Sequence, residues 1–337
     1  MPKEISHLIL ADRMISCLNG QLGQKDGGFP ASIRFSIEAA SVYPNLVRFG
    51  ATTPDTIFYF AFLPKSGDSR NIVNRSHGAV PPGSFSWIPV FKELILRSKK
   101  EREKEIIHAY ALGILSHLAA DYTFHPLVHH FAPSDRSHHL LETQLDGYLL
   151  EQERSRNGEK GSESLYLKDI AQRAEKESEG LLHELFCSYA NSFVNQQAGE
   201  QVIAMKRCRQ TLNLHCRIQR LFFSPLVRTL LVLPSLIFPE KCGKYLQLFY
   251  HGKGDSPFLE SLAIEQMESE ATKTFLNMFT LFNNCVKGKT ACPEGLDADR
   301  GNKADMVLQY VRGEVTKLPS PKNCSRVRCR SLFRRQR

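Results

Sequence analysis

Residues 108–150 constrain the fold most strongly, because seven of the chain's twelve histidines fall within this one stretch. It reads HAYALGILSHLAADYTFHPLVHHFAPSDRSHHLLETQLDGYLL and also carries Asp121, Glu142 and Asp146. The Leu, Ala and Phe residues between the histidines are spaced as in buried helices. Imidazoles and carboxylates are costly to bury alone. The fold must therefore bring several of these polar groups together inside the core.

The spacing of these residues indicates a metal site. Side chains four residues apart lie on the same face of a helix. Two His–carboxylate pairs have this spacing, and one further histidine follows the first pair by four residues: His117 with Asp121, His138 with Glu142, and then His125. One such pair is often only a surface hydrogen bond. Two pairs and a further histidine in one apolar neighbourhood favour a divalent cation, which satisfies several ligands at once.

The chain as a whole predicts an all-α fold, a multi-helix bundle. Amphipathic patterns alternate with Pro- and Gly-rich loops, and alternating Val/Ile strands are missing. A long helical pattern runs from Pro89 to about Tyr122. Pro126 is expected to end it, and Ser137 to cap the next helix. His108 is nine residues before His117 and is expected to face elsewhere.

Length and composition fit a globular protein with one large domain or two modest ones. We expect residues 1–160 to form a helical core, residues 161–300 to add helices that complete the same domain, and residues 301–337 to form a basic, flexible tail. The formal net charge is +9, and the tail segment KNCSRVRCRSLFRRQR has no acid. The first residues lack the long apolar run of a signal peptide, and the nine cysteines lack the spacing of zinc ribbons. A cytoplasmic protein with mostly free thiols is expected.

An apolar segment at residues 221–250 is broken by three prolines and carries Arg228, so it does not read as a spanning helix. It is expected to be a pair of short core helices or, alternatively, a lipid-facing surface. With the basic tail, it would allow peripheral contact with an anionic membrane. A basic tail can also hold nucleic acid. The favoured interpretation of the tail by itself is a solvated, disordered terminus.

The motifs resemble those of the zinc-dependent phospholipase C family, which is related to bacterial secreted phospholipases C and fungal single-strand nucleases. The resemblance covers roughly residues 5–150. It rests on HAYALGILSHLAADYTFHP and HHLLE, and on SHLILADRM with His7 near the start. RFGATTPDTIFYF adds Phe49, Gly50, Pro54 and Asp55, and His77 falls where the family has another metal histidine.

This resemblance implies a helical enzyme with two to three zinc ions at the base of a cleft. Carried onto this chain, it assigns one zinc to Asp55, His77 and His117. Asp121 would bridge this zinc to a second one, which His7 also binds. A third zinc is assigned to three residues that lie later in the chain: His125, His138 and Glu142. The histidines would then be dense because several metal ions share one short region.

The implied activity is phosphodiester hydrolysis by a zinc-activated water, with Asp55 as the candidate general base. A phospholipid is the favoured substrate, and hydrolysis would release diacylglycerol and a phosphorylated alcohol. A single-strand-type nuclease is the second hypothesis. Four aromatic residues are candidates for base stacking, although they fit a buried core as well: Phe85, Trp87, Phe131 and Tyr148. A non-catalytic, metal-stabilised binding module is the third.

Overall fold

The computed structural model describes residues 4–22, 30–63, 69–77, 83–132, 135–157, 165–195, 200–222 and 264–291, and residues 224, 226, 227, 229 and 230. Within these ranges the secondary structure is helical, without a β-strand, which confirms the all-α prediction. No helix in these ranges has the length and apolar character needed to cross a bilayer. Most of segment 221–250 and all of the tail 301–337 lie outside the described residues.

Eleven α-helices and one 3₁₀ helix make up the described part of the chain. In chain order they are α1 Glu4–Leu22, α2 Ala31–Val42, α3 Pro44–Thr56, the 3₁₀ helix Ile57–Phe62, α4 Ser69–Ser76, α5 Trp87–Arg97, α6 Glu101–Phe131, α7 Asp135–Asn157, α8 Leu167–Glu177, α9 Leu182–Asn191, α10 Met205–Phe222 and α11 Ile264–Val286.

Helix α6 is the central helix, and α1, α2, α3, α5, α7 and α11 all pack against it. Every residue from 106 to 121 is buried. A helix that is buried on all sides must be apolar around its whole circumference unless its polar groups have partners. The histidines and the aspartate in this part of α6 are therefore the residues that need an explanation.

Two glycines allow α3 to approach α6 closely. A Cβ atom at Gly50 would lie 2.4 Å from the carbonyl oxygen of Tyr110, and one at Gly113 would lie 2.1 Å from that of Val47. Such distances are far inside van der Waals contact, so only glycine fits at these two positions. The close crossing brings the end of α3, which carries Asp55, alongside the polar face of α6.

The start of α3 is fixed by α8. Pro44 occupies the first turn, where its missing N–H costs nothing. The carboxylate of Glu177 accepts hydrogen bonds from the backbone N–H groups of Asn45 and Leu46, at 3.3 and 2.8 Å. A negative charge at a helix N-terminus is also favoured by the helix dipole. Helix α8 therefore caps α3 at the end opposite Asp55.

Three predicted helix boundaries are wrong. The pattern expected to continue from Pro89 to Tyr122 is interrupted after Arg97, and α6 begins at Glu101. Pro126 does not end α6, which continues to Phe131, because buried residues on both sides of the proline keep the helix packed. Ser137 lies inside α7, which begins at Asp135. The domain boundaries at residues 160 and 300 stay predictions.

Candidate metal centre

Helix α6 presents three buried side chains at four-residue intervals on one face: His117, Asp121 and His125. His117 Nε2 lies 3.1 Å from Asp121 Oδ2, and His125 Nε2 lies 3.4 Å from Asp121 Oδ1. The two oxygens of this carboxylate therefore approach different histidines. A carboxylate in such a position can bridge two neighbouring ion sites.

Helix α1 adds His7 next to this carboxylate. His7 Nε2 lies 3.3 Å from Asp121 Oδ1, and the ring stacks on that of His117 with 3.8 Å between centroids. The preceding residue, Ser6, donates its backbone N–H to Asp146 Oδ1 at 2.8 Å, and its hydroxyl donates to the same oxygen. The first N–H groups of a helix have no acceptor within the helix. Asp146 thus caps α1 and fixes the turn that carries His7.

Asp55 and His77 complete this part of the centre. Asp55 lies in the last turn of α3, and His77 directly follows α4. His77 Nε2 is 3.6 Å from Asp55 Oδ1 and 3.9 Å from Asp121 Oδ2. Asp55 Oδ1 is also 3.9 Å from His117 Nε2, and its Oδ2 is 3.9 Å from His7 Nε2. Asp55 therefore lies among three imidazoles.

Helix α7 provides the second His–carboxylate pair. His138 Nε2 lies 2.6 Å from Glu142 Oε1, one helical turn away. The same oxygen is 3.7 Å from His125 Nε2 on α6. His125 also contacts Asp121, so it connects the α7 pair with the rest of the centre.

All eight residues that the sequence nominates belong to groups whose ligand atoms lie within 4.8 Å of one another. The three groups are His7, Asp55 and His117; His77, His117 and Asp121; and His125, His138 and Glu142. Two ligands of one tetrahedral zinc, each about 2.0–2.1 Å from it, lie about 3.3–3.4 Å apart. The nitrogen–oxygen separations around Asp55 and Asp121 run from 3.1 to 3.9 Å, which is the same scale.

The hydrogen bonds of the histidine ring nitrogens show whether these residues fit a metal. His117 Nδ1 pairs with the carbonyl oxygen of Ala51 at 2.8 Å, and His77 Nδ1 pairs with Ser76 and with the carbonyl oxygen of Val73. Among the described residues, neither Nε2 atom has a partner in hydrogen-bond geometry, although both are buried and carboxylates lie nearby. A histidine whose other nitrogen donates to a carbonyl oxygen is typical of metal ligands. The donor set therefore fits zinc.

The charges around Asp121 also favour a cation. Burial by itself would raise the pKa of Asp121, but His125, His117 and His7 outweigh it and hold the pKa well below its usual range. Burial lowers the pKa of His117, whereas Asp121 and Asp55 raise it more, so that the net shift is upward. Both directions mean that the Asp121 carboxylate stays ionised and that this point of the structure favours positive charge.

Among the described side chains, the remaining histidines of the 108–150 stretch belong to none of the three groups, although His129 contacts the third one. His108 is buried elsewhere on α6, where Nδ1 is 2.9 Å from the hydroxyl of Ser36, which confirms that it faces away. His129 is exposed, and its ring centroid lies 4.8 Å from that of His138. The side chains of His130 and His139 lie outside the described part of the structure.

Sequence reasoning missed groups that contact the nominated residues or their neighbours: Asp146 and the carbonyl oxygen of Ala51. Asp146 follows Glu142 by four residues, so the same spacing rule could have placed it on the inner face of α7. Its partner Ser6 lies 140 residues away in the chain, and no local pattern connects the two. The carbonyl oxygen of Ala51 is a backbone group, which leaves no signal in the sequence.

Comparison with known proteins agrees with this geometry. A family model described as zinc-dependent phospholipase C matches residues 6–197, which is more than half of the chain and includes all eight residues. No curated protein and no solved structure matches the chain. The match confirms the resemblance inferred from the motifs. The chain belongs to the zinc-dependent phospholipase C family.

Proposed function

We propose that this protein is a zinc-dependent phosphodiester hydrolase that cleaves the headgroup ester of a phospholipid and releases diacylglycerol and a phosphorylated alcohol. The observation that carries the proposal is the sharing of ligands between neighbouring groups. Asp121 presents one oxygen to His117 at 3.1 Å and the other to His125, a member of the third group, at 3.4 Å. A purely structural zinc is typically held in one closed site of four ligands, whereas adjacent zinc ions suit phosphodiester chemistry.

Two to three zinc ions are proposed. Asp55, His77 and His117 would hold one ion, and His7 with Asp121 would hold the next. The third would be held by residues of α6 and α7: His125, His138 and Glu142. Zinc bound there would polarise the phosphate oxygens and lower the pKa of a coordinated water.

Asp55 is the proposed general base. Its two oxygens lie 3.6 to 3.9 Å from the Nε2 atoms of three histidines, so the carboxylate is oriented from several sides. It would accept a proton from the attacking water, a role that contributes about 10²- to 10⁴-fold to rate in other enzymes.

An anionic lipid surface is the proposed docking partner. Helix α10 has four exposed basic residues on its outer side: Lys206, Arg209, Arg217 and Arg220. Three leucines at and beyond its end, Leu221, Leu226 and Leu230, are 52%, 67% and 64% exposed. Basic residues next to exposed apolar side chains suit the interface of an anionic bilayer. These leucines lie in the segment that the sequence nominates for membrane contact.

The nuclease alternative receives less support. A base-stacking pocket needs exposed aromatic rings. Phe85 is only 2% exposed and Trp87 is fully buried, where it packs against Phe91 and Phe282. Both belong to the core. Tyr148 is partly buried against the core, and the side chain of Phe131 lies outside the described residues.

The test compares substrates on zinc-loaded protein. Hydrolysis is measured on phospholipid vesicles, as diacylglycerol released, and on single-stranded DNA. We expect diacylglycerol release that a chelator removes and added zinc restores. Cleavage of DNA alone would replace the proposal with the nuclease. Activity on neither substrate, in protein that retains zinc, would favour a non-catalytic binding module.

A further inference from the structure

A buried polar network beside the metal centre joins α10 to the two helices that carry His7 and Asp55. His215 of α10 is fully buried. Its Nε2 lies 2.7 Å from Glu4 Oε1, and its Nδ1 lies 2.9 Å from Thr56 Oγ1. Glu4 precedes His7 by three residues, and Thr56 directly follows Asp55. One imidazole therefore connects the local backbone of two nominated ligands that lie on different helices.

The imidazole of His215 is held on both ring edges and on one face. Thr56 Oγ1 also donates to the carbonyl oxygen of Thr52 at 2.8 Å, so its hydroxyl is left to accept from Nδ1–H. The ring of Tyr59 stacks on His215 with 4.2 Å between centroids. One turn further along α10, Gln219 accepts the backbone N–H of Leu167 at 2.7 Å, which fixes α10 against α8. The ring therefore has little freedom to move.

The surroundings of Tyr59 show how close this network comes to the metal centre. Burial raises the pKa of Tyr59 most, and the negative charges of Glu4 and Asp55 raise it further. The phenol thus lies near both the network and a nominated ligand.

Core packing alone does not account for this arrangement. A carboxylate and an imidazole lose hydration when buried, and an apolar side chain of similar size would fill the space without that cost. Glu4 and His215 both lie outside residues 6–197, the part of the chain that matches the family model. Thr56 and Tyr59 lie inside the matched part, so the network joins matched and unmatched residues.

We propose that His215 is a positioning residue. Its contact with Glu4 fixes His7, and its contact with Thr56 fixes Asp55. The two side chains are thereby held at the separation that zinc binding requires. The inference rests on the proposed zinc function. Glu4 is the first residue of α1 and Thr56 is the last residue of α3, and α10 bonds to both. Without His215, the first turn of α1 and the last turn of α3 would lose their common hydrogen-bonding partner.

The test measures zinc affinity separately from stability. Zinc dissociation constants are measured by competition with a chromophoric chelator, and unfolding temperatures are measured on the zinc-free proteins. Three variants of His215 test its two hydrogen bonds together and one at a time. His215→Ala removes both hydrogen bonds, His215→Asn keeps a nitrogen near Nδ1 for Thr56, and His215→Gln keeps one near Nε2 for Glu4. Glu4→Gln tests the same contact from the other side.

His108→Ala is the matched control, because it also removes a buried imidazole that bonds to one hydroxyl, but far from the ligands. We expect His215→Ala to weaken zinc binding about tenfold, the lower end of the range for residues that orient metal ligands. The Asn and Gln variants should lie between it and the wild type. His108→Ala should lower the unfolding temperature and leave zinc affinity unchanged.

The outcomes separate this inference from the proposed function. Wild-type protein that binds no zinc would overturn both. Zinc affinity that is equal in the wild type and in the His215 and Glu4 variants would overturn the positioning role alone. The same holds if His215→Ala and His108→Ala weaken zinc binding equally, since burial alone would then explain the loss. If His215→Ala does not fold, the His215→Gln and Glu4→Gln variants decide.

Discussion

Gly50 and Gly113 face each other where α3 crosses α6, and a Cβ atom on Gly113 would lie 2.8 Å from the Cα atom of Gly50. This contact sets the distance between the helix that carries Asp55 and the helix that carries His117 and Asp121. The position of the candidate metal centre thus depends on two residues without side chains. Tyr110 and Val47 provide the backbone oxygens that a methyl group would strike.

Replacing either glycine by alanine should therefore force α3 away from α6. Overpacking a core typically costs about 1–3 kcal/mol, and backbone atoms cannot move aside as side chains do. We expect Gly113→Ala to reach at least the upper part of this range in denaturant unfolding and to lower zinc content. Gly20→Ala is the control, because a Cβ atom there meets nothing within 4 Å. Equal stability of the Gly113 and Gly20 variants would contradict the close crossing.

Zinc content tests the ligand set directly. Purified protein that has met no chelator should carry two to three zinc ions per chain by elemental analysis, as three adjacent ligand groups imply. His117→Ala and Asp121→Asn should lower both zinc content and unfolding temperature, because metal binding stabilises the folded state. His183→Ala, a partly buried histidine that pairs with Glu175, is the control. Zinc content below one ion per chain in the wild type would rule out a cluster.

Asp55→Asn separates the chemical step from metal binding. Asparagine keeps the size and one ligand oxygen but loses the negative charge that accepts a proton. If Asp55 is the base, turnover should fall by about 10² or more. Most of the zinc should remain, because His77 and His117 still approach the same ions. Loss of zinc in parallel with activity would show that Asp55 serves as a ligand only.

The sequence alone could predict that the nominated residues of α6 and of α7 lie on shared faces, because helical periodicity brings side chains four residues apart onto one face. His117, Asp121 and His125 illustrate this rule. The same local reasoning fails at Pro126, where tertiary packing maintains the helix despite the missing N–H. Local reasoning also cannot find the contact between His215 and Glu4, because these two residues are 211 positions apart in the chain. Partners that orient ligands across the fold depend on tertiary structure, which no local pattern encodes.

His108 makes folding stability depend on pH. Burial lowers the pKa of His108 to about 4, although Glu101 raises it slightly. In the unfolded chain a histidine has a pKa of about 6.5. Because the folded-state pKa is the lower one, the stabilising contribution is complete above pH 6.5 and is lost as the pH falls towards 4. The full difference corresponds to about 3 kcal/mol.

The check for His108 compares wild type with His108→Asn, which keeps a nitrogen near the hydroxyl of Ser36. Unfolding free energies are measured with denaturant from pH 7 to pH 4, on zinc-free protein. The wild type should lose more stability over this interval than the variant. Parallel curves would mean that His108 is not neutral and buried in the folded protein.

The outer side of α10 should bind anionic membranes. Each basic residue near such a surface contributes about 1 kcal/mol, and salt screens the contribution. Replacing Lys206, Arg209, Arg217 and Arg220 by glutamine should therefore weaken co-sedimentation with vesicles that contain phosphatidylserine, most strongly at low salt. Hydrolysis of a soluble short-chain phospholipid should not change. The charge-matched control replaces four exposed basic residues elsewhere: Arg34, Lys99, Lys287 and Lys289.

The same assay decides the role of the tail. Deletion of residues 322–337 removes seven basic residues together with Leu332 and Phe333. If the tail adds to membrane contact, the deletion should weaken pelleting further in the α10 variant, and the loss should shrink as salt increases. If the tail is only a solvated terminus, full-length and truncated proteins will pellet equally at every ionic strength. Equal pelleting of the α10 variant and its charge-matched control would assign the attraction to net charge and exclude a specific docking surface.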